Sequence, residues 1–271
     1  PWSGGSAVRR ESRFGIDQGC GKPAAFTPSV HAGVTNPIAG ASSPFTFTLT
    51  KPDGQPNVGR IDMVLPQGLL ARLSDVPLCP EAQAVSGSCS PASQVGHATI
   101  QVGPGSNPVT IPQAGKAPTG VYLAGPYNRA PFSLVIKVPA QAGPYDLGVV
   151  VVRAALHVDA AKAQVTVQSD PLPQILEGVP LQYRTINITL DRPGFMLNPT
   201  SCAEQGIGTT VTPVSGQPVP VSTRFQVGEC AGRPLAPGLG LLLTGKGQAR
   251  EGGHPGLVAE LTQQPGESGL R

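Results

Sequence analysis

The segment Phe45-Thr46-Phe47-Thr48-Leu49-Thr50 alternates strictly between large apolar side chains and threonine. Successive side chains of a β-strand point to opposite faces, so this segment presents one apolar face and one polar face. The pattern is typical of a strand that packs on a core with one side and meets water with the other, as in antiparallel sheets. The segment therefore predicts an antiparallel β fold.

Further strands are predicted where short runs rich in β-branched residues lie between turn residues. These runs are 60–65, 95–102, 120–124, 132–138, 149–158, 163–168, 183–190, 209–212 and 219–227. The turn at 159–162 predicts a hairpin between two of them, and only two short helices are predicted, at 68–73 and 80–85. The economical architecture is an all-β, antiparallel β-sandwich, immunoglobulin-like or enlarged, with short helical turns.

Composition supports this fold class and argues against several functions. Charged residues make up 13% of the chain, too few for a typical disordered protein, and 31 prolines disfavour long helices. The net charge of +3 is scattered and aromatic residues are 4%, so the sequence predicts no nucleic-acid partner. No apolar run reaches the roughly 18–20 residues that a bilayer span requires, so no membrane span is predicted.

The five cysteines indicate a compartment. Cys79 and Cys89 lie close together in a turn-rich stretch, and Cys202 and Cys230 flank a candidate hairpin, so we expect disulfides 79–89 and 202–230. Free buried thiols and a zinc site are the alternatives, although no cysteine pair has the spacing that zinc sites favour. Disulfides would place the protein outside the cytoplasm, in an extracellular or cell-surface location. Cys20 is left unpaired or free for an intermolecular bond.

The two ends of the chain repeat each other. Arg13-Phe14 and Cys20 recur as Arg224-Phe225 and Cys230, each followed by a proline-rich stretch and a new apolar strand. The segment 44–50 likewise resembles 255–262, where a Pro/Gly turn follows each. Chance similarity between two Pro/Gly-rich segments is the alternative interpretation.

The repeat predicts a domain organisation. Residues 1–20 would be the tail of a preceding module, 21–231 a main β-sandwich module and 232–271 the start of the next. The main module could divide into two smaller sandwiches near 103–119, although one sandwich is favoured. The chain would then be a slice of a longer tandem array, with the partner of Cys20 in the preceding module.

Several motifs carry a resemblance to a known group of proteins. They include SDPLPQILEGVPL (169–181), DRPGFMLNPTSC (191–202), VVVRAALHVD (150–159) and GGHP (252–255). From about Phe26 onward the chain resembles large secreted or surface tandem-repeat proteins of actinobacteria, built from β-sandwich repeats. The resemblance implies a secreted or surface location and implies no activity.

No motif predicts an enzyme. The stretch 240–247 spells most of a phosphate-binding loop, but Gly247 replaces the Ser or Thr that would hold magnesium, and no long helix can follow. His157 and Asp159 share a strand face, and the carboxylates Asp146, Asp170 and Asp191 fall at predicted turns, where Asp is common for structural reasons. We expect no cofactor, with calcium bound at an acidic loop as the alternative.

The function expected from the sequence is structural: an extracellular stalk, sheath or filament whose partners are copies of itself or neighbouring repeats. Strand exchange between modules is a candidate mechanism. The candidate assembly residues are Arg13, Phe14, Ile16, Leu239, Leu241 and Leu243. The alternative is a surface adhesin or carbohydrate-binding module with a glycan ligand, for which Trp2 and Tyr127 are the candidate binding residues.

Overall fold

The structure is a computed structural model that describes residues 9–13, 15, 25–232, 234–248, 250–263 and 267. The first strands are β1 (Ser29–Val34), β2 (Phe45–Thr50), β3 (Val58–Val64), β4 (Leu70–Ala71), β5 (Gln94–Val102), β6 (Val109–Ile111), β7 (Gly120–Ala124), β8 (Phe132–Ala142) and β9 (Tyr145–Asp159). The later strands are β10 (Gln164–Ser169), β11 (Ile175–Leu176), β12 (Val179–Pro180), β13 (Tyr183–Leu190), β14 (Met196–Leu197), β15 (Gln205–Pro213), β16 (Val219–Phe225), β17 (Gly238–Thr244) and β18 (Gly256–Thr262).

Helical structure in the described residues is short. Helix α1 (Glu81–Ser86) confirms the helix predicted at 80–85, and a 3-10 turn follows at Pro91–Ser93. The helix predicted at 68–73 is wrong, because Gly68 has a left-handed backbone (φ +81°) and Leu70–Ala71 pairs with β14 as a strand. Among the described residues, no helix has the length and apolar character needed to cross a membrane.

Twelve of the described strands form one antiparallel sheet in the order β1-β2-β13-β5-β7-β8-β9-β10-β3-β15-β16, with β6 added beside β5. Strand β5 belongs to both halves of this sheet, because it pairs with β13 over most of its length and with β7 near its start. The strand changes partners at Gly96, where a Cβ atom would collide with the carbonyl oxygen of Thr189. Glycine therefore permits the corner that turns the sheet back on itself.

The far ends of the sheet meet and nearly close it. Thr223 of β16 donates a hydrogen bond from Oγ1 to the carbonyl oxygen of Val30 in β1, at 3.2 Å. Beyond these strands, Ala39 N donates to Gly228 O at 2.9 Å and Gly228 N donates to Pro37 O at 2.8 Å. The prediction of an all-β, antiparallel fold is confirmed, and its two facing layers are halves of one nearly closed sheet, here called the barrel.

The segment 103–119, where the main module could divide, lies between strands that pair with each other. Strands β3 and β5 come before it, and they pair with β10 and β13, which come after it. The interior contains the apolar face that the alternation of β2 predicts, with Phe45, Phe47 and Leu49 buried. The module boundaries at residues 20 and 231 stay predictions.

A smaller apolar cluster lies outside the barrel. Helix α1 and the Cys79–Cys89 disulfide cover the outer face of β7 and β8, where Ala84 packs with Ala124 and Val135. Val135 is fully buried although it points away from the barrel interior. The disulfide loop therefore acts as a second layer over this part of the sheet.

Candidate assembly site

The strongest candidate site is the hairpin formed by β17 and β18. The two strands pair antiparallel from Gly238↔Thr262 to Thr244↔Gly256, and neither pairs with another described strand. An isolated two-stranded hairpin is marginally stable in water, because it has no third strand or core to pack against. The hairpin therefore has two unpaired edges and faces that no other described strand covers.

The pairing of this hairpin repeats that of β1 and β2. In the first hairpin the inward-facing pairs are Val30↔Leu49, Ala32↔Phe47 and Val34↔Phe45. In the second hairpin the corresponding pairs are Leu239↔Leu261, Leu241↔Ala259 and Leu243↔Leu257. The strand order, the register and the apolar face are the same in both hairpins.

One pair shows compensation of size between the two hairpins. A small residue, Ala32, faces a large one, Phe47, in the first hairpin. In the second hairpin the large residue, Leu241, is on the first strand and faces Ala259 on the second. Because packed cores respond to total volume more than to the identity of each side chain, the exchange keeps the pair suited to a core.

The environments of the two hairpins differ. Leu49 is 1% exposed inside the barrel, whereas its counterpart Leu261 is 56% exposed. Leu239, Leu241, Leu243 and Leu257 are also exposed, which makes a contiguous apolar face. Large exposed apolar patches are a common feature of interaction sites.

The first hairpin indicates what such a face contacts. In the barrel, the free edge of β2 pairs with β13, which places Ile186 opposite Leu49 and Ile188 opposite Phe47. The other edge of the hairpin, on β1, lies beside β16. A partner for the second hairpin thus needs a strand like β13 along β18 and a strand like β16 along β17.

The predicted assembly residues fall into two groups. Leu239, Leu241 and Leu243 lie together on one face of β17, in the segment that the sequence predicts as a strand. Arg13 is exposed in irregular structure, while Phe14 and Ile16 lie outside the described residues, as does Cys20. Of the two predicted strand-exchange segments, the one at 239–243 is therefore seen as a strand, β17.

Leu257 and Leu261 of β18 complete the apolar face, although the sequence pattern did not predict them as assembly residues. The pair Leu242↔Val258 was not predicted either; its side chains point to the opposite face and are exposed. The alternation of 257–262, read beside Phe45–Thr50, was the signal that could have identified the first two.

Both predicted disulfides are present. Cys79–Cys89 holds the loop over β7 and β8, and Cys202–Cys230 joins the segment after β14 to the segment after β16. Near the second disulfide, Gln226 donates a hydrogen bond to the carbonyl oxygen of Cys202 at 3.0 Å. Because disulfides persist in oxidising compartments, the two bonds indicate a protein that functions outside the cytoplasm.

The groups considered for catalysis or metal binding are engaged separately. The stretch 240–247 is strand β17 followed by a turn. Asp146 accepts from Gln141 and Gly148, and these two hydrogen bonds lower the pKa of its carboxyl group. Asp191 lies 3.2 Å from Nδ1 of His97. Within the described ranges, no group of three or more His, Cys, Asp or Glu residues lies close enough to hold a metal ion.

Tyr127, the predicted glycan-binding aromatic, is already occupied on one face. The guanidinium of Arg153 lies 3.8 Å from its ring centroid, and its hydroxyl donates to Asp170 at 2.7 Å. This hydrogen bond raises the pKa of the Tyr127 hydroxyl above its ordinary value. Trp2 lies outside the described residues.

Comparison with known proteins adds no identity: the chain matches no protein-family model, no curated protein sequence and no solved structure.

Proposed function

We propose that this chain is an extracellular structural repeat module of a cell-surface stalk, sheath or filament, and that hairpin β17–β18 begins the next module. The repeated register of the two hairpins carries the proposal, because the second hairpin presents a core face that its own described strands do not cover. The partner of that face is another copy of the same fold. That copy supplies strands equivalent to β13 and β16.

The chemistry of β13 suits this partnership. Aligned on β18 as it aligns on β2, a strand like β13 places isoleucines opposite Leu261 and Ala259. Cross-strand pairs of aliphatic residues stabilise a sheet, and the new backbone hydrogen bonds satisfy the edge of β18. A soluble glycan offers neither of these, which is why a protein copy is the favoured partner.

The joint between modules favours an ordered array over a flexible string. The Cys202–Cys230 disulfide lies at the C-terminal end of the barrel. Strand β17 begins at Gly238, after a segment that contains Pro234 and Pro237. Proline-rich segments are semi-rigid, so a joint this short limits the angles between successive barrels. Stiff joints suit a stalk or filament.

A designed two-module chain tests the proposal. Residues 1–262 would be continued directly by residues 51–231, so that the second hairpin is followed by the same strands that follow the first. We expect the added segment to fold with the hairpin into a second barrel with its own pair of disulfides. Small-angle scattering should then show a particle about twice as long, and disulfide mapping should recover both bonds in each copy.

The matched control lacks the hairpin and joins residues 1–237 directly to 51–231. We expect this chain to leave the second segment unfolded and sensitive to protease, since its β13 has no β2 equivalent to pair with. If both chains behave alike, whether both fold or both fail, the hairpin is not the start of a module and the proposal is wrong. Regular fibres in electron micrographs of the native assembly would support the larger structural role.

The alternative function, a surface adhesin or carbohydrate-binding module, stays a proposal that fewer observations support. Its described candidate residue, Tyr127, has one ring face against Arg153 and its hydroxyl on Asp170. Binding of the full chain in a glycan array, lost on Tyr127→Ala, would favour this function over the structural one.

A further inference from the structure

The interior of the barrel is not filled by its side chains. Between the two layers lies a cavity of about 380 Å³, bordered on one side by Phe47 and Ile188 and on the other by Ile136, Val152 and Val167. Protein interiors are normally packed as densely as organic crystals, with few voids larger than a water molecule. A cavity of this size in an otherwise ordered sheet therefore calls for an explanation by function.

The lining offers no polar group to a ligand. It contains no charged side chain, and its two polar residues are Ser169 and Tyr183. Ser169 Oγ accepts from Ile61 N at 3.0 Å and donates to Asp170 O at 2.9 Å. The Tyr183 hydroxyl donates to Pro173 O at 2.6 Å. Because both are already satisfied, the cavity suits a ligand segment that makes no hydrogen bonds.

The volume lies in the range of ligand sites. Small-molecule sites typically measure about 300–1,000 Å³, and an apolar cavity of about 150 Å³ already stays dry and binds benzene. Water is a poor occupant here, since a buried water molecule needs about 2–4 polar partners. Hydrocarbon is therefore the chemical class that the lining accepts.

The shape selects among hydrocarbons. The lining follows the inner face of β9 from Val150 to Val158, eight residue steps along one strand. At about 3.3 Å per residue this is roughly 26 Å, while facing β layers lie only about 10 Å apart. A long, thin slot accommodates one extended aliphatic chain better than a fused ring system or a lipid with two chains.

One end of the slot is covered by the hairpin of β11 and β12. Leu176 and Leu181 of this segment face the cavity, while Ile175 and Val179 are exposed. The base of the hairpin is held by Gln174, which accepts from Asn57 Nδ2 at 2.6 Å. Within the described residues, its two short strands pair only with each other. The hairpin therefore closes this end of the slot without adding a strand to the main sheet.

We infer that the barrel binds a single-chain lipid, with its aliphatic chain in the cavity and its polar head outside. The inference goes beyond the structural role and does not depend on it, because the cavity belongs to one barrel and involves no residue of β17 or β18. A surface array of such barrels would carry one lipid chain in each module.

Palmitate is the probe, titrated into the full chain by displacement of a fluorescent stearate analogue, with native mass spectrometry to count bound chains. We expect one chain per molecule. Val152→Phe places a ring into the slot and should weaken binding by at least about tenfold, while leaving the melting temperature equal or higher because it fills a void. Val149→Phe, on the same strand but facing outward and half exposed, should change neither quantity.

The two variants also expose the ways in which the inference can fail. Overpacking a filled core lowers stability. The inference would therefore be overturned if the unmodified chain bound no palmitate and Val152→Phe had a lower melting temperature. Unchanged binding by Val152→Phe would place the lipid elsewhere and would also overturn it. Leu241→Asp should leave binding intact; a loss there would assign the lipid to the exposed face of β17. None of these outcomes bears on whether the hairpin begins a second module.

Discussion

Nη1 of Arg153 lies 2.6 Å from Oε1 of Glu81, and the two residues belong to different layers of the molecule. Arg153 is on the outer face of β9 with a side chain only 6% exposed, while Glu81 begins α1 in the disulfide loop and is 61% exposed. Arg153 also donates from Nη2 to Ser133 Oγ at 2.9 Å. The ion pair therefore joins the disulfide loop to the buried guanidinium of Arg153.

Removing the acidic partner should destabilise the fold. Glu81→Ala leaves the buried guanidinium with Ser133 and the ring of Tyr127 but without its carboxylate. Hydrogen bonds to charged groups contribute about 1.5–3 kcal/mol, so we expect a loss of about 1.5 kcal/mol in the free energy of unfolding. Urea denaturation measures it.

Arg224 and Glu204 provide the matched control, because both side chains of this ion pair are more than half exposed at a similar distance. Glu204→Ala should cost less than about 0.5 kcal/mol, as surface pairs usually do. Equal losses in the two variants would show that the burial of Arg153 does not decide the strength of its ion pair.

The two disulfides should differ in their contributions. Their cysteines are 10 and 28 residues apart in sequence. On the loop-closure argument, Cys79→Ala with Cys89→Ala should lower the free energy of unfolding by about 3 kcal/mol, and Cys202→Ala with Cys230→Ala by about 4 kcal/mol. Guanidinium unfolding of the two double variants makes the comparison. A loss below about 1 kcal/mol for either pair would contradict the entropic account.

Equivalent leucines in the two hairpins should respond differently. Leu49→Ala opens a cavity in the barrel wall and should cost about 2–5 kcal/mol. Leu261→Ala, at the matching position of β18, should change the stability of this chain by less than about 0.5 kcal/mol because its side chain is exposed. In the two-module chain, the same Leu261→Ala substitution should lower the melting temperature of the second barrel, as differential scanning calorimetry would detect.

Asp53 should make stability depend on acid. The backbone N–H of Gly105 donates to its Oδ2 at 2.6 Å, and Gly54 and Arg184 act on its Oδ1, which together hold the pKa of the Asp53 carboxyl below its ordinary value. A carboxyl with a lowered folded-state pKa stabilises the fold fully above its unfolded pKa of about 3.9, and this contribution is lost as the pH falls through the folded value.

Asp53→Asn should therefore be less stable than the parent chain at pH 7, and the difference should shrink as the pH falls below about 3.9. Thermal unfolding across this range measures the difference. A difference that stays constant with pH would mean that Asp53 acts through its shape and not through its charge.

The regular strands were the predictable part of the fold. The predicted bounds of β7 and β13 match the structure, and β9 and β10 form the hairpin expected around 159–162. These strands carry their own evidence, since an inward apolar face and an outward polar face leave a period of two in the sequence.

The short strands were not predictable, because their pairing depends on distant residues. Leu70–Ala71 resembles helix-forming sequence, yet it becomes β4 since Met196–Leu197 lies alongside it. The two-residue strands β11 and β12 carry too few residues for any periodicity. In these places tertiary contacts outweigh local preference.

The exposed face of β17 could be predicted from the sequence, and the cavity could not. The repeat of the sequence identified Leu239, Leu241 and Leu243, because it places a new apolar strand after Pro237 whether or not a partner covers that strand. The cavity leaves no such mark, since Val152 and Val167 would be apolar in a filled core as well. The separation of the two layers is a property of the whole sheet and of no single segment.

The closure between β1 and β16 has a mechanical consequence. Ile38 and Gly228 form a parallel bridge, so the chain runs in the same direction on both sides of the seam. Tension applied through the two ends of a module would pull these segments in opposite directions along their length. The hydrogen bonds of Ala39 and Gly228 would then be loaded together, in shear, and the Cys202–Cys230 bond would hold the segment beyond them. A seam of this kind resists force better than one that is peeled open bond by bond.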